Sequence, residues 1–383
     1  MKEEMLKPVL SDKETLNEVV DCLAEHIKVP MQGECNQKTF FEILVCAASE
    51  GNSVEQTCKS FEDIPIGNAV RYHCDKLKDM AALERALNEA LHSRLPSRIQ
   101  GGKQKVAIDL NLLPYYGTPS NEEEPYIYRS QAKAGTCSFY AYATAYVISK
   151  GKRVTIALHA VRRDETMVCI ITHLLDQIAK LNLIIKRLYL DRGFFSVPVI
   201  RWLKACNIPF VMPVIIRGKK GGTRALLFPK KSYKTDYTMQ STTYGCVTFK
   251  VWVIGTYFKG KQGKHGIEYQ AYAVHKVFIP LHSLPDEYRK RFGIECSYRL
   301  KNCSRIRTTT KNPVVRLLYV GIAFLLVDLW IYLIWSVVSR PRKGSRILYA
   351  SLFPFKTMLR FLRQAFERRH AAVEVIYLKS EHL

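Results

Sequence analysis

Three carboxylates in the 383-residue chain stand where a metal-assisted reaction would need them. Asp109 follows the apolar run Val106-Ala107-Ile108, and Asp191 follows Arg187-Leu188-Tyr189-Leu190. Both read as acids at strand ends, where a carboxylate can meet a partner from a neighbouring strand and bind Mg²⁺, a hard cation that takes oxygen ligands and keeps several waters. A single Asp in such a place is more often a cap or a turn former. The third acid changes the weighing. Tyr288, Arg291, Glu295 and Arg299 are spaced so that one continuous helix would carry all four on one face. A solvated salt-bridge ladder uses the same Arg-to-Glu spacing. Such a ladder needs no Tyr in register, however, and the flanking Phe292, Ile294 and Tyr298 predict a helix packed on a core.

The elements that must position these acids can be read from periodicity. Lys105–Leu110, Ser138–Ile148 and Arg153–His159 are short β-rich runs, with Ser149-Lys150-Gly151-Lys152 as a hairpin turn and Glu165–Leu181 as a helix-period segment. A strand at Ile184–Leu190, a helix at Val197–Cys206 and a strand at Pro209–Ile215 follow. Three meander strands, then helix, strand, helix, strand, is the order of an RNase H-like α/β core, a mixed five-stranded sheet with flanking helices. Residues 216–278 interrupt it with Gly-rich basic sequence and alternating strands such as Thr248–Tyr257 and Ile267–Lys276, which reads as a β-rich insertion. Helical character returns over Pro285–Cys303 and Pro313–Val338. The expected plan is a helical N-terminal domain (1–100) joined by a linker at Arg94–Gln104, a core of 104–215 and 279–340, the insertion, and a basic helical tail (341–383).

The formal net charge of +24 favours a polyanionic partner. Its distribution is uneven: residues 1–95 hold 11 basic and 17 acidic residues, leaving 47 and 17 for the rest. Arg217, Lys219 and Lys220 begin a run without acids, and the tail over 340–370 carries nine basic residues against Glu367. In the acidic N-terminal part Ser53 reads as an N-cap, and Ser53–Ser60, the turn Phe61–Pro65 and Ile66–Lys78 have helix-turn-helix proportions, with Arg71 and Lys76 on the second helix; an ordinary helical bundle fits equally. Eleven cysteines lack any C-x-x-C pair, which suits a reducing cytosol, and Met1–Asp12 has no apolar run of a secretory signal. Leu317–Val338 is long and apolar enough to span a bilayer, but Asp328 at its centre and the globular pattern around it predict a buried core helix beside that of Glu295, and no membrane partner.

Asp109–Gly117 (Asp-Leu-Asn-Leu-Leu-Pro-Tyr-Tyr-Gly), the Asp-Arg-Gly-Phe-Phe block at Asp191–Phe195 and the Tyr-x-x-Arg-x-x-x-Glu pattern at Tyr288, Arg291 and Glu295 together resemble DDE transposases of the insertion-sequence-four superfamily, in the branch first described from halobacterial insertion sequences. The resemblance covers roughly residues 35–340. It implies that Asp109, Asp191 and Glu295 are catalytic and hold Mg²⁺ or Mn²⁺, two ions in all, and that Tyr288 and Arg291 contact DNA phosphate. It also implies a β-rich insertion between the second and third acids, an enzyme that cleaves and joins DNA strands, and double-stranded DNA partners in the element's terminal inverted repeats and its target. A homodimer on DNA and a prokaryotic cytoplasmic, nucleoid-associated setting are expected with it. The superfamily places Lys seven residues after the Glu; this chain has Asn302 there, with Lys301 beside it and Arg299 one turn after Glu295, so either could take that role. The competing readings are a metal-dependent nuclease without joining activity and a DNA-binding protein with a decayed site.

Overall fold

The computed structural model describes residues 9–33, 35–96, 99–148, 153–260, 265–343 and 345–375; the expected turn at Ser149–Lys152 lies outside them. Five helices open the described residues: α1 (Asp12–His26), α2 (Gln37–Glu50), α3 (Val54–Lys59), α4 (Gly67–Asp75) and α5 (Met80–Ser93). Ser11, Asn36, Ser53 and Asp79 cap α1, α2, α3 and α5 by accepting from backbone N–H groups of the first turn. Ser53 is the cap expected from sequence. Helix α2 stops at Gly51, whose φ of 67° is the left-handed conformation that glycine adopts without steric cost.

The α/β segment follows as β1 (Lys103–Pro114), β2 (Ile127–Lys133), β3 (Thr136–Val147), β4 (Thr155–Ala160), α6 (Met167–Ala179), β5 (Ile184–Leu190), α7 (Val197–Ala205) and β6 (Phe210–Pro213). Apart from β2, this is the expected order. Three long strands come next, β7 (Tyr233–Ser241), β8 (Gly245–Lys259) and β9 (His265–His275). The chain closes with α8 (Leu284–Arg289), α9 (Gly293–Cys303), α10 (Pro313–Ser336), the hairpin β10 (Ser339–Arg342) and β11 (Ser345–Leu348), and α11 (Phe355–Arg369).

Contacts divide the chain into two compact units, one of residues 1–96, 114–140 and 297–383, the other of 97–113 and 141–296. In the second, β4 pairs with β3 and the order continues β3-β1-β5-β6-β9-β8-β7. Strands β1, β5 and β6 are parallel neighbours, while β9, β8 and β7 add on antiparallel. Strands β7, β8 and β9 thus extend the core sheet beyond the five strands expected, because β9 pairs with β6. The apolar run Val106, Ala107, Ile108 is fully buried, as are Leu188, Tyr189 and Leu190, which is why these strands are continuously hydrophobic rather than alternating.

The first unit is helical, with β2 pairing the start of β3. Helix α10 is, among the described residues, the one long and apolar enough to cross a membrane, yet most of it is buried, Asp328 included at 4 % exposure. It runs so close to α5 that a Cβ at Gly321 would lie 2.4 Å from Leu87. Tyr298 and Lys301 of α9 meet its Phe324, and Ser304 just beyond donates to the Ala323 carbonyl, so α10 packs beside the end of α9 as its pattern predicts. Helix α11 buries Phe355, Met358, Leu362 and Phe366 against α1 and α2.

Candidate active site

The parallel register of β1 and β5 pairs Ile108 with Leu190, so the next residues, Asp109 and Asp191, leave neighbouring strands side by side. Asp109 does not end its strand, since β1 runs on to Pro114; what ends there is its pairing with β5. Glu295 arrives from α9. The single helix expected over Tyr288–Arg299 is broken: α8 stops at Arg289, a 3₁₀ turn spans Lys290–Phe292, and α9 begins at Gly293, a residue with little helical propensity. The Arg291 guanidinium nevertheless reaches all three acids, with Nη1 3.2 Å from Asp109 Oδ2, and Nη2 3.4 Å from both Asp191 Oδ1 and Glu295 Oε1.

The charge there is not balanced. Three carboxylates surround one guanidinium that is only 6 % exposed. Burial, with the neighbouring Asp191 and Glu295, raises the Asp109 carboxyl to about 6 against the opposing pull of Arg291 and the Leu110 N–H. The excess negative charge, the all-oxygen donor set and the half-exposed Asp191 and Glu295 fit a hard divalent cation such as Mg²⁺ or Mn²⁺.

Two neighbours of Arg291 fix this geometry, a role that the sequence announces for neither. Tyr288, expected at a DNA phosphate, is buried, and its hydroxyl donates to the Leu190 carbonyl at 3.0 Å, tying α8 to the residue before Asp191. Glu287 Oε2 accepts from Lys105 Nζ at 2.6 Å and from Arg187 Nη1 and Tyr189 Oη at 3.2 Å each, while its other oxygen meets Lys290. Burial alone would raise the Glu287 carboxyl; the Lys105 and Lys290 ammonium groups outweigh it and hold the group down at about 2. The signal available in sequence was an acid adjacent to Tyr288 facing basic residues at Lys105 and Arg187, whose proximity only the fold reveals.

The expected DNA contacts separate into available and committed groups. Arg217, Lys219, Lys220 and Arg299 are exposed. Arg71 is half-exposed but pairs with Glu55 at 3.1 Å, and Lys76 donates to Gln32 at 2.8 Å. Lys301 is buried at 1 % exposure with its ammonium 5.5 Å above the Phe324 ring, and burial, helped by Arg305, lowers it to about 7. Of the two candidates for the missing family Lys, Arg299 alone faces solvent. In the tail, Arg363, Arg368 and Arg369 pair with Glu50, Asp12 and Glu42, so the expected phosphate grip of 340–370 is partly spent on the acidic helices.

A second group carries no signal in the sequence. His159, Glu165 and His173 have ligand atoms all within 4.8 Å of one another and could hold a divalent metal ion. Their spacing follows no familiar motif, since they come from a strand, a loop and a helix.

The family described as transposase DDE domain matches residues 100–329. No curated protein matches the chain. Among solved structures, the piggyBac transposase synaptic complex with hairpin DNA, determined by cryo-electron microscopy, is similar in fold at a TM-score of 0.55, with 13 % identity over 99 % of this chain and 85 % of that one. An RNase H-like strand order carrying three acids, and a family match over more than half the sequence, converge on one assignment: the chain belongs to the DDE transposase family.

Proposed function

We propose that the chain is a DNA transposase that cleaves strands at the ends of an insertion sequence and joins them to target DNA. The observation that carries this reading is the convergence of Asp109, Asp191 and Glu295 on Arg291. Two Mg²⁺ or Mn²⁺ ions held by those acids would activate the attacking oxygen and stabilise the leaving one in an in-line phosphoryl displacement. Arg291 meanwhile keeps the acids within reach of one another, and Tyr288 and Glu287 hold the α8 backbone against β1 and β5, so the acids stay ordered. Arg217, Lys219 and Lys220, exposed and without acids nearby in sequence, supply phosphate contacts that position duplex DNA without reading it. The hairpin DNA of the piggyBac complex supports double-stranded DNA as the partner, and we propose that a homodimer engages it.

The test is cleavage and strand transfer on the element's own ends with Mg²⁺ or Mn²⁺. Asp109→Ala, Asp191→Ala and Glu295→Ala should each lose both reactions while retaining DNA binding. Near-normal cleavage by any one of them would remove that residue from the site, and cleavage without joined product in the wild type would make the protein a nuclease.

A further inference from the structure

We propose that His159, Glu165 and His173 form a second metal site, separate in chemistry from the three-acid site, that takes a borderline transition ion such as Zn²⁺ and staples helix α6 to strand β4. The three ligands come from consecutive elements: His159 lies on β4, Glu165 in the loop behind it, and His173 two turns into α6. Among the described residues, β3 is the only strand that pairs with β4, and α6 packs across β4. An ion held here would fasten an edge strand to the helix that covers it.

The distances suit coordination. His159 Nε2 is 2.9 Å from Glu165 Oε2 and 3.2 Å from His173 Nδ1. Ligand atoms around a tetrahedral Zn²⁺, with bonds of roughly 2.0–2.1 Å, stand about 3.3 Å apart, so these need to open by only a few tenths of an ångström. The two imidazoles meet edge to face at 85°, with His173 Nδ1 also 3.4 Å from His159 Nδ1. Glu165 is oriented independently, because its Oε2 also accepts from the Arg162 N–H at 3.0 Å. Such a preset carboxylate is the kind of support that fixes a metal ligand. Two imidazoles and one carboxylate select against Mg²⁺, which prefers oxygen, and leave a fourth position for water.

The site can be tested on the full-length protein without DNA, titrating Zn²⁺ against a chromophoric chelator in excess Mg²⁺ and following Co²⁺ binding by its visible spectrum. The wild type should bind one equivalent that His173→Ala and Glu165→Gln weaken at least about a hundredfold. His173 is exposed, so its truncation leaves the core intact. The Asp109→Asn, Glu295→Gln double variant should keep that equivalent, and Zn²⁺ should raise the melting temperature of the wild type but not of His173→Ala. Unchanged affinity in His173→Ala and Glu165→Gln, loss of the equivalent in the double variant, or no wild-type binding in excess Mg²⁺ would each overturn the proposal.

Discussion

Two regions of this molecule bring acids and arginines together, and they balance them differently. Around Arg291 three carboxylates share one guanidinium. Along α11 the count is even: Glu42 receives Arg369 and His370, Asp12 meets Arg368, and Arg363 meets Glu50 and Glu367. Surplus acid in a partly dry site is a standing repulsion, which a cation can relieve. Acid matched by base is a fastening. The difference between a site and a scaffold here lies in stoichiometry rather than residue type, and substitutions at the two places should therefore have opposite signs.

The largest effect separates activity from stability. Asp109→Asn should lower cleavage at least about a thousandfold, the scale on which single groups of a concerted site act. Measured in chelator, the same variant should melt no lower than the wild type, because one repelling charge is gone. Glu42→Ala should do the reverse, leaving catalysis intact and destabilising by about 1–3 kcal/mol, since it removes the buried carboxylate that Arg369 and His370 share. Denaturation and cleavage assays on the two variants check this. A destabilised Asp109→Asn would mean that its carboxylate is structural and the comparison fails.

Glu287 sharpens the same contrast from inside the unit that holds the three acids, where one acid serves Lys105, Arg187, Tyr189 and Lys290. Its folded value of about 2 lies below the ordinary 4.5, so the stability it contributes is present above pH 4.5 and is lost as pH falls toward 2. Glu287→Gln should be less stable than the wild type at pH 7, and the difference should shrink across that acid window. Melting curves from pH 7 to pH 2.5 decide it; a constant gap would assign the effect to packing instead of charge.

How far these features were legible in the sequence follows from the range of the interactions behind them. The strand order, the cap at Ser53 and the apolar character of α10 are local patterns, and they appeared in the structure within a few residues. Asp109 and Asp191 could be singled out because each follows an apolar strand run, but their adjacency depends on the β1–β5 register. The pairing of β9 with β6, the commitment of α11 to the acidic helices, the burial of Lys301 and the meeting of His159 with His173 are long-range contacts without periodicity. Charge counting in particular could not tell a free Lys from a paired Arg. It therefore assigned α11 and the Arg217 loop the same task.

Those two basic segments give the smallest effect. Lys219, Lys220 and Lys231 are exposed, and none of the ion pairs among the described residues includes them, whereas Arg363 already holds Glu50 at 3.1 Å and Glu367 at 2.7 Å. If the loop grips duplex phosphates, neutralising the three lysines together should weaken binding to end-sequence and random DNA alike and lower the slope of log K against log salt by about 0.9 for each phosphate no longer neutralised. Arg363→Ala should leave that slope unchanged and cost only about 0.2–1 kcal/mol of folding stability, the worth of an exposed pair. Binding titrations at several salt concentrations distinguish them. An equal fall in slope for both would show that α11 releases its acids on meeting DNA, and the helical unit would then be part of the DNA-binding surface.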